Sequence, residues 1–452
     1  METTQKEDEL IDRRSFIKTS AIVSAGVAVV GMPFGAYARY QDDTIKVALV
    51  GCGSRGTGAA AQALSVKPRT KLVAMADAFA DRIEESYKAL TANKFKDWSG
   101  VEVSVAHKVE VPPERRFVGF DAYQKAIELA DVVLLATPPG FRPQHFEACI
   151  KAGKHVFMEK PVATDAPGVR QVLQAAELAK QKKLNVVVGL QRRYDVSYQE
   201  LIKRLQGGQI GEIIAGQVYW HSDGVWVVER QPHWTEMEYQ MRNWYYFNWL
   251  CGDHIVEQHI HNIDVFNWAK NAYPIRAQGM GGRQVRTGKQ FGEIFDHHYV
   301  EFEYADGTIL NSQCRHMPGT MSRVSETLIG TKGRATTHDG RVITDLKGKT
   351  IWNYQRKGNE PNPYQLEIDL LFEAVAKGDF RFQDAEFGAK STLTAIMGRM
   401  ATYSGQVVTW QEALHSNLNL MPERLAWDAL PKSLPDAEGF YPIAIPGKTK
   451  AL

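Results

Sequence analysis

The sequence predicts an α/β fold: a doubly wound parallel sheet in the N-terminal half, then a second α/β region built on an antiparallel sheet. Three observations predict it. An apolar hexapeptide, IKVALV (Ile45–Val50), runs straight into the glycine turn GCGSRG (Gly51–Gly56) and on into a helical pattern, AAAQALSV. Short apolar strands then alternate with helical stretches, as a parallel sheet covered on both faces requires. From about Ile210 the strands lengthen and alternate apolar with polar, the pattern of antiparallel strands with one wet face.

The first 38 residues stand outside the fold. DRRSFIK (residues 12–18) precedes a weakly apolar segment, Ala21–Met32, and the small-x-small triplet Ala36-Tyr37-Ala38. Paired Arg13 and Arg14, an apolar core and an A-x-A site make an export signal cleaved near Ala38. The apolar run is shorter than the roughly 20 residues that span a bilayer. The RR-x-F-[IL]-K pattern resembles a twin-arginine signal, which implies export of the folded protein to the periplasm.

Composition excludes several function classes. The chain has 452 residues and a net charge of +2, so there is no field to attract nucleic acid or an anionic membrane. Cys52, Cys149, Cys251 and Cys314 are scattered without CxxC spacing, which argues against a disulfide framework or a zinc knuckle.

The glycine turn is read position by position. Gly51 allows the tight turn, Gly53 lets backbone approach a pyrophosphate, and Gly56 lets helix pack on strand. Amides from Ser54 onward then face the phosphates, and Arg55 adds a charge. The next strand, KLVAMAD, ends at Asp77, 21 residues after Gly56. A carboxylate there accepts from a ribose diol and repels a 2′-phosphate, which favours NAD over NADP. DVVLLATPP (Asp131–Pro139), HVFMEKP (His155–Pro161) and NVVVGLQRRY (Asn185–Tyr194, read as the sixth strand) continue the sheet, with helices at QHFEACIKAGK and Gly168–Lys183. Ligands sit at the carboxyl ends of such strands. That position holds Thr137, Pro138, Glu159, Lys160, Pro161, Gln191, Arg192 and Arg193.

In the second half, EIIAGQVYWH, IRAQGMGGRQVR, HHYVEFEYADGTILNSQCRH and RVSETLIGTKGRATTH read as strands, with an Asp-Gly hairpin at Tyr304–Thr308. One helix interrupts them, GDHIVEQHIHNIDVF (Gly252–Phe266). Late helical patterns at Tyr364–Lys377 and Ala385–Ser404 are expected to return to the first domain. After Val407, Pro431, Pro435, Pro442 and Pro446 suggest an extended surface tail.

Taken together, GCGSRG, ATPPGFRPQH, AGKHVFMEKPVA, VGLQRRY and ExxxHNxD resemble the Gfo/Idh/MocA oxidoreductases, the family of glucose–fructose oxidoreductase and inositol dehydrogenase. The resemblance covers roughly 44–405. It implies a Rossmann domain over 44–195 with the helices of about 364–405, and a substrate and oligomerisation domain with an open antiparallel sheet over 196–363. Residues 406–452 are left as the tail. It further implies bound NAD, a sugar or cyclitol substrate, and a homo-oligomer formed through the second sheet. Lys160 would sit beside the nicotinamide, before a proline that often follows a cis bond. His145 in ATPPGFRPQH joins the expected cofactor contacts. The family's D-x-x-x-H-x-x-D motif is altered here: Glu257 stands four before His261, and His259 replaces a frequent glycine.

Read as one helix at about 100° per residue, His254, Glu257, Gln258, His261 and Asp264 share a polar arc. Ile255, Val256, Ile260, Ile263 and Phe266 face away, and His259 sides with them as a packing residue. Glu257 and His261 are i,i+4 neighbours, so the carboxylate is placed to orient the imidazole. Oxidising a secondary alcohol leaves a proton to remove, and imidazole suits that task. The reading is therefore His261 as base, Lys160 as polarising group and Glu257 as orienter or substrate acceptor. A metal set of His254, Glu257 and His261, with His221, has chemically valid donors, but the acid/base reading is preferred and no metal is expected. Arg192, Tyr194, Arg242, Asn243, Tyr245 and His254 are the candidate substrate contacts, amid the Trp- and Tyr-rich stretches Tyr219–Trp226 and His233–Trp249.

The leading function is an exported NAD-dependent oxidoreductase of a sugar-like CH–OH group. Because the periplasm offers no free NAD pool of consequence, the cofactor would be bound tightly and recycled in place. Two alternatives remain: an NAD-dependent glycosidase working through transient C3 oxidation and elimination, and a non-catalytic sugar-binding protein.

Overall fold

The computed structural model describes residues 44–96 and 100–451. The expected export signal, residues 1–38, lies outside the described residues. None of the described helices is long and apolar enough to cross a membrane.

Among the described residues, the first sheet contains β1 (Ile45–Val50), β2 (Thr70–Asp77), β3 (Arg116–Val118), β4 (Val132–Leu135), β5 (His155–Met158) and β6 (Val186–Val188). Its order is β3-β2-β1-β4-β5-β6 and every pairing is parallel. The order reverses between β1 and β4, the switch point where such sheets bind ligands. The strands are nearly all buried because helices cover both faces. RFV, the edge strand β3, is too short for its sequence to announce it. The run after β6 is not strand: Gln191–Tyr194 forms a 3-10 turn, of which Gln191 lines the cleft and Arg192, Arg193 and Tyr194 do not.

The second sheet contains β7 (Ile213–Ser222), β8 (Arg276–Gly282), β9 (His297–Glu303), β10 (Ile309–His316), β11 (Arg323–Gly330), β12 (Gly333–Thr336), β13 (Val342–Asp345), β14 (Thr350–Asn353) and β15 (Val408–Thr409). Its order is β14-β13-β12-β11-β7-β10-β9-β8-β15. It is mixed rather than purely antiparallel, because β7 pairs with β10 in parallel at the centre. The hairpin forms at the expected Asp306-Gly307, with Gly307 at φ 82°. Along β9 and β10 every second residue is buried, so one face packs and one is wet.

The return helices divide their work. Pro363–Lys377 packs on the first sheet through Ile368, Leu371 and Phe372. Ala385–Ser404 is buried on nearly all sides. It lies between the helix Ala166–Gln181 and strands β8 and β9, so it belongs to both halves. The tail is not simply extended. It adds β15 to the edge of the second sheet and a capped helix, Trp410–His415. Trp427 then reaches the rings of Phe79 (5.1 Å) and Phe120 (4.7 Å).

GDHIVEQHIHNIDVF is two helices, His254–Glu257 and Ile260–Lys270. At the break, His259 N donates to His254 O, five residues back. That is the signature of a π-bulge. The inserted residue puts the second helix out of phase with the first, so the single polar arc does not form.

Candidate active site

A cleft of about 900 Å³ opens at the carboxyl ends of the parallel strands. The glycine turn forms one end. Gly51 has φ 95°, and a Cβ there would lie 2.5 Å from Thr137 N. A Cβ on Gly56 would lie 1.9 Å from Gly51 O, so helix and turn touch through backbone. A Cβ on Gly53 would meet nothing within 4 Å. The helix Ser54–Ser65 has no side-chain cap on its first turn. This open cradle of amides at a helix N-terminus fits a pyrophosphate.

Asp77 lines the cleft and is already engaged. Its carboxylate accepts from Cys52 N (2.6 Å) and Phe79 N (3.0 Å). Burial outweighs those bonds and raises its pKa. Thr137, Pro138 and His145 line the next stretch. Thr137 Oγ1 lies 3.2 Å from His145 Nδ1, and burial pushes His145 down to about 3, so its ring is neutral. Arg55 lines the cleft beside the glycine turn. Its guanidinium is held by Glu159 at 2.6 Å and Glu367 at 3.5 Å, a buried cluster closed by Tyr364. Gln191 donates to the Tyr364 hydroxyl at 2.9 Å.

The reactive end gathers three expected residues. Lys160 precedes Pro161 through a cis bond. Its Nζ donates to Glu257 Oε1 at 2.9 Å and to Glu257 O at 2.5 Å. Glu257 therefore pairs with Lys160, and the expected Glu257–His261 contact is absent. The π-bulge between them breaks the i,i+4 relation. His261 lines the same cleft, its ring stacked on Trp220 at 6.0 Å and its Nδ1 buried without a hydrogen-bond partner. Burial, then the Lys160 and Arg192 cations, hold its pKa well below the usual imidazole range.

The candidate substrate residues separate. Tyr245 and Arg242 line the cleft. Tyr245's buried hydroxyl has no partner in hydrogen-bond geometry, and burial with the nearby Glu257 carboxylate raises its pKa. Arg242 is bound to Asp81 (3.0 Å) and Glu238 (2.9 Å) and lies over the Phe79 ring. The other four are not at the wall. Arg192 is ion-paired with buried Glu326. Tyr194 donates to Asp384 at 2.5 Å, behind the 3-10 turn. Asn243 is fully buried, accepting from Val228 N and donating to Gln290 O, so it pins the segment carrying Trp226. His254 is fully buried among His298 and His316. His259 is buried and bonded to Ser312 Oγ at 2.8 Å, and burial lowers it to about 3. Among the described residues, His254, Glu257, His261 and His221 are not brought together as a metal set.

Sequence reasoning missed Arg142 and Tyr364, which line the cleft together with Gln258 of the expected polar arc. Arg142 is 4% exposed, and burial lowers it to about 10 while its Nη1 donates to Pro161 O at 2.5 Å. The signal was present in ATPPGFRPQH: an arginine opening a helix beside a sheet end.

Fold and cleft together define a nucleotide-dependent oxidoreductase acting on CH–OH groups. Residues 45–190 match the model of the oxidoreductase family with an NAD-binding Rossmann fold, GFO_IDH_MocA. Inositol 2-dehydrogenase of Pseudomonas fluorescens (strain SBW25) is 32% identical over 276 residues, 59% of this chain and 74% of that enzyme. Inositol 2-dehydrogenase of Rhizobium meliloti (strain 1021) is 25% identical over 349 residues, 74% of this chain and 90% of that enzyme. The chain belongs to the Gfo/Idh/MocA oxidoreductase family. Two solved structures share the fold, each with a TM-score of 0.60. Scyllo-inositol dehydrogenase from Lactobacillus casei with bound NAD(H) and scyllo-inositol is 20% identical, covering 82% of this chain and 100% of that one. Aldose-aldose oxidoreductase from Caulobacter crescentus complexed with glycerol is 16% identical, covering 81% and 100%.

Proposed function

We propose that this protein is an exported NAD-dependent oxidoreductase of a cyclic polyol or sugar derivative. The observation that carries it is the convergence of the Gly53 cradle, Lys160 and His261 on one cleft. Gly51, Gly53, Ser54, Gly56 and Asp77 would hold the dinucleotide, with Thr137, Pro138, His145 and Gln191 along its length. Bound nicotinamide supplies the hydride acceptor. Lys160 polarises the substrate oxygen, and Glu257 fixes the ammonium by its two hydrogen bonds. His261, neutral because of its burial, accepts the hydroxyl proton. Trp220, Trp226 and Trp244 give the apolar walls on which a ring stacks.

Asp77 favours NAD over NADP. Arg13, Arg14 and Ala36–Ala38 support twin-arginine export, with tight cofactor retention in the periplasm. Homo-oligomerisation is proposed through the wet face of the second sheet.

A second reading is favoured by one observation. The Tyr245 hydroxyl lines the same cleft, buried and without a hydrogen-bond partner, and adds a second proton-bearing group besides His261. Elimination of a glycoside after transient oxidation needs a second such group; plain dehydrogenation does not. Purified mature protein should be denatured to identify released nucleotide, and holoprotein incubated with inositols, aldoses and glycosides. Net NADH with ketone product supports the dehydrogenase, whereas free sugar without net NADH supports the glycosidase. A protein that neither releases nor takes up nucleotide would sink both.

A further inference from the structure

We propose that Asp253, His254 and His298 form a buried site for one zinc-type divalent cation, behind the wall of the active-site cleft. All three side chains are fully buried, and their ligand atoms lie within 4.8 Å of one another. His298 Nε2 is 3.2 Å and His254 Nε2 3.8 Å from Asp253 Oδ1. Two ligands about 2.0 Å from a tetrahedral zinc ion lie about 3.3 Å apart, which the His298–Asp253 pair matches and from which the His254–Asp253 pair differs by a small side-chain adjustment.

The hydrogen-bond inventory leaves imidazole nitrogens without partners here, beside an Asp253 Oδ1 that otherwise accepts only from His254 N at 2.5 Å. Thr402 Oγ1 spends its proton on Arg399 O at 3.0 Å. His298 Nδ1, 2.9 Å from Thr402 Oγ1, must therefore donate to it. That leaves the lone pair of a neutral His298 Nε2 facing the Asp253 carboxylate, and Nε2 has no hydrogen-bond partner. Both His254 nitrogens are buried without partners as well. A proton on His298 would relieve one contact and leave His254 bare. One metal ion satisfies His298 Nε2, a His254 nitrogen and Asp253 Oδ1 together. Two imidazoles and one carboxylate select zinc over magnesium or calcium.

The surroundings are built as metal sites are built, with outer groups fixing the ligands. Asp253 Oδ2 accepts from Tyr403 OH (2.5 Å) and Phe295 N (3.0 Å). The Asp253 backbone is held at φ 74°, ψ 159°, a region otherwise left to glycine. His316 stacks on His254 at 4.4 Å and bonds to Gln258 Oε1 at 2.7 Å. Gln258 lines the cleft. The ion would thus brace the segment that presents Glu257 and Gln258.

The test uses the mature chain without a histidine tag, loaded with zinc chloride, dialysed and assayed by elemental mass spectrometry. About one zinc per chain is expected, falling at least about tenfold in His254→Ala and His298→Ala and remaining in His259→Ala. A wild-type protein retaining less than about a tenth of an equivalent, or variants keeping the full equivalent, would overturn the site. If the variants do not fold, wild type loaded with cobalt(II) decides. Tetrahedral visible bands displaced by zinc support the site, and the spectrum of aqueous cobalt rejects it.

Discussion

Glu257 turns away from His261, four residues on, and pairs with Lys160, whose Nζ lies 2.9 Å from its carboxylate. A lysine and a histidine facing one substrate would otherwise both seek that carboxylate. Its commitment to Lys160 leaves the imidazole neutral and the ammonium aimed. Lys160→Ala should lower kcat/KM by about 10²–10³, the loss of one charge-stabilising donor. Glu257→Gln keeps an acceptor for Nζ and should lose less, about tenfold to a hundredfold. Steady-state kinetics on the same substrate check the ranking, and an equal or larger loss in Glu257→Gln would contradict it.

The pH profile should expose the state of His261. Its pKa is pushed well below the usual range, first by burial and then by Lys160 and Arg192. Acid protonates the base and stops the reaction, so a lowered pKa moves that loss to lower pH. kcat/KM should stay flat through pH 6.5, where an ordinary imidazole would already be half protonated at about that pH. Lys160→Met removes one repelling cation, so the residual activity should fall off at higher pH than in wild type. His261→Asn should lower kcat by about 10²–10⁴ and abolish the acid limb.

Asp77 serves two masters, and its variants should separate them. Its carboxylate caps Cys52 N and Phe79 N while lining the cleft. Asp77→Asn keeps one acceptor oxygen, so one of the two amides loses its partner, and it removes the charge that repels a 2′-phosphate. The NAD-to-NADP preference in kcat/KM should fall by at least about tenfold. Denaturant unfolding should show a loss of about 1–3 kcal/mol in Asp77→Ala, where both amides are left unpaired, and a smaller loss in Asp77→Asn.

The parts legible in the sequence were those set by local chain chemistry. Ile45–Gly56, Asp77 and Lys160 lie where strand, glycine turn and strand end must place them. The Asp-Gly hairpin and the alternation of β9 and β10 were equally local. The misses depend on long-range partners. Nothing local reveals that Arg55 meets Glu367, 312 residues away in the chain. Arg192 and Tyr194 were read as pocket residues because the 3-10 turn and Glu326 and Asp384 are invisible from VGLQRRY. The π-bulge at His259 undid an angular reading that assumed one uninterrupted helix.

Two glycines of one turn should fail in different ways. A Cβ at Gly56 would collide with Gly51 O at 1.9 Å, a backbone atom that cannot rotate aside. Gly56→Ala must push the helix off β1 and should cost about 1–3 kcal/mol, the usual cost of overpacking. A Cβ at Gly53 meets nothing within 4 Å, and Gly53 sits at φ −71°, ψ 179°, a conformation alanine adopts freely. Gly53→Ala should therefore change unfolding free energy by no more than about 0.5 kcal/mol. Its methyl would fill the cradle that the pyrophosphate approaches, so NAD affinity should fall by at least about tenfold. Denaturant unfolding and calorimetric titration of nucleotide-stripped protein measure both quantities on both variants. Unchanged NAD affinity in a well-folded Gly53→Ala protein would place the pyrophosphate elsewhere in the cleft.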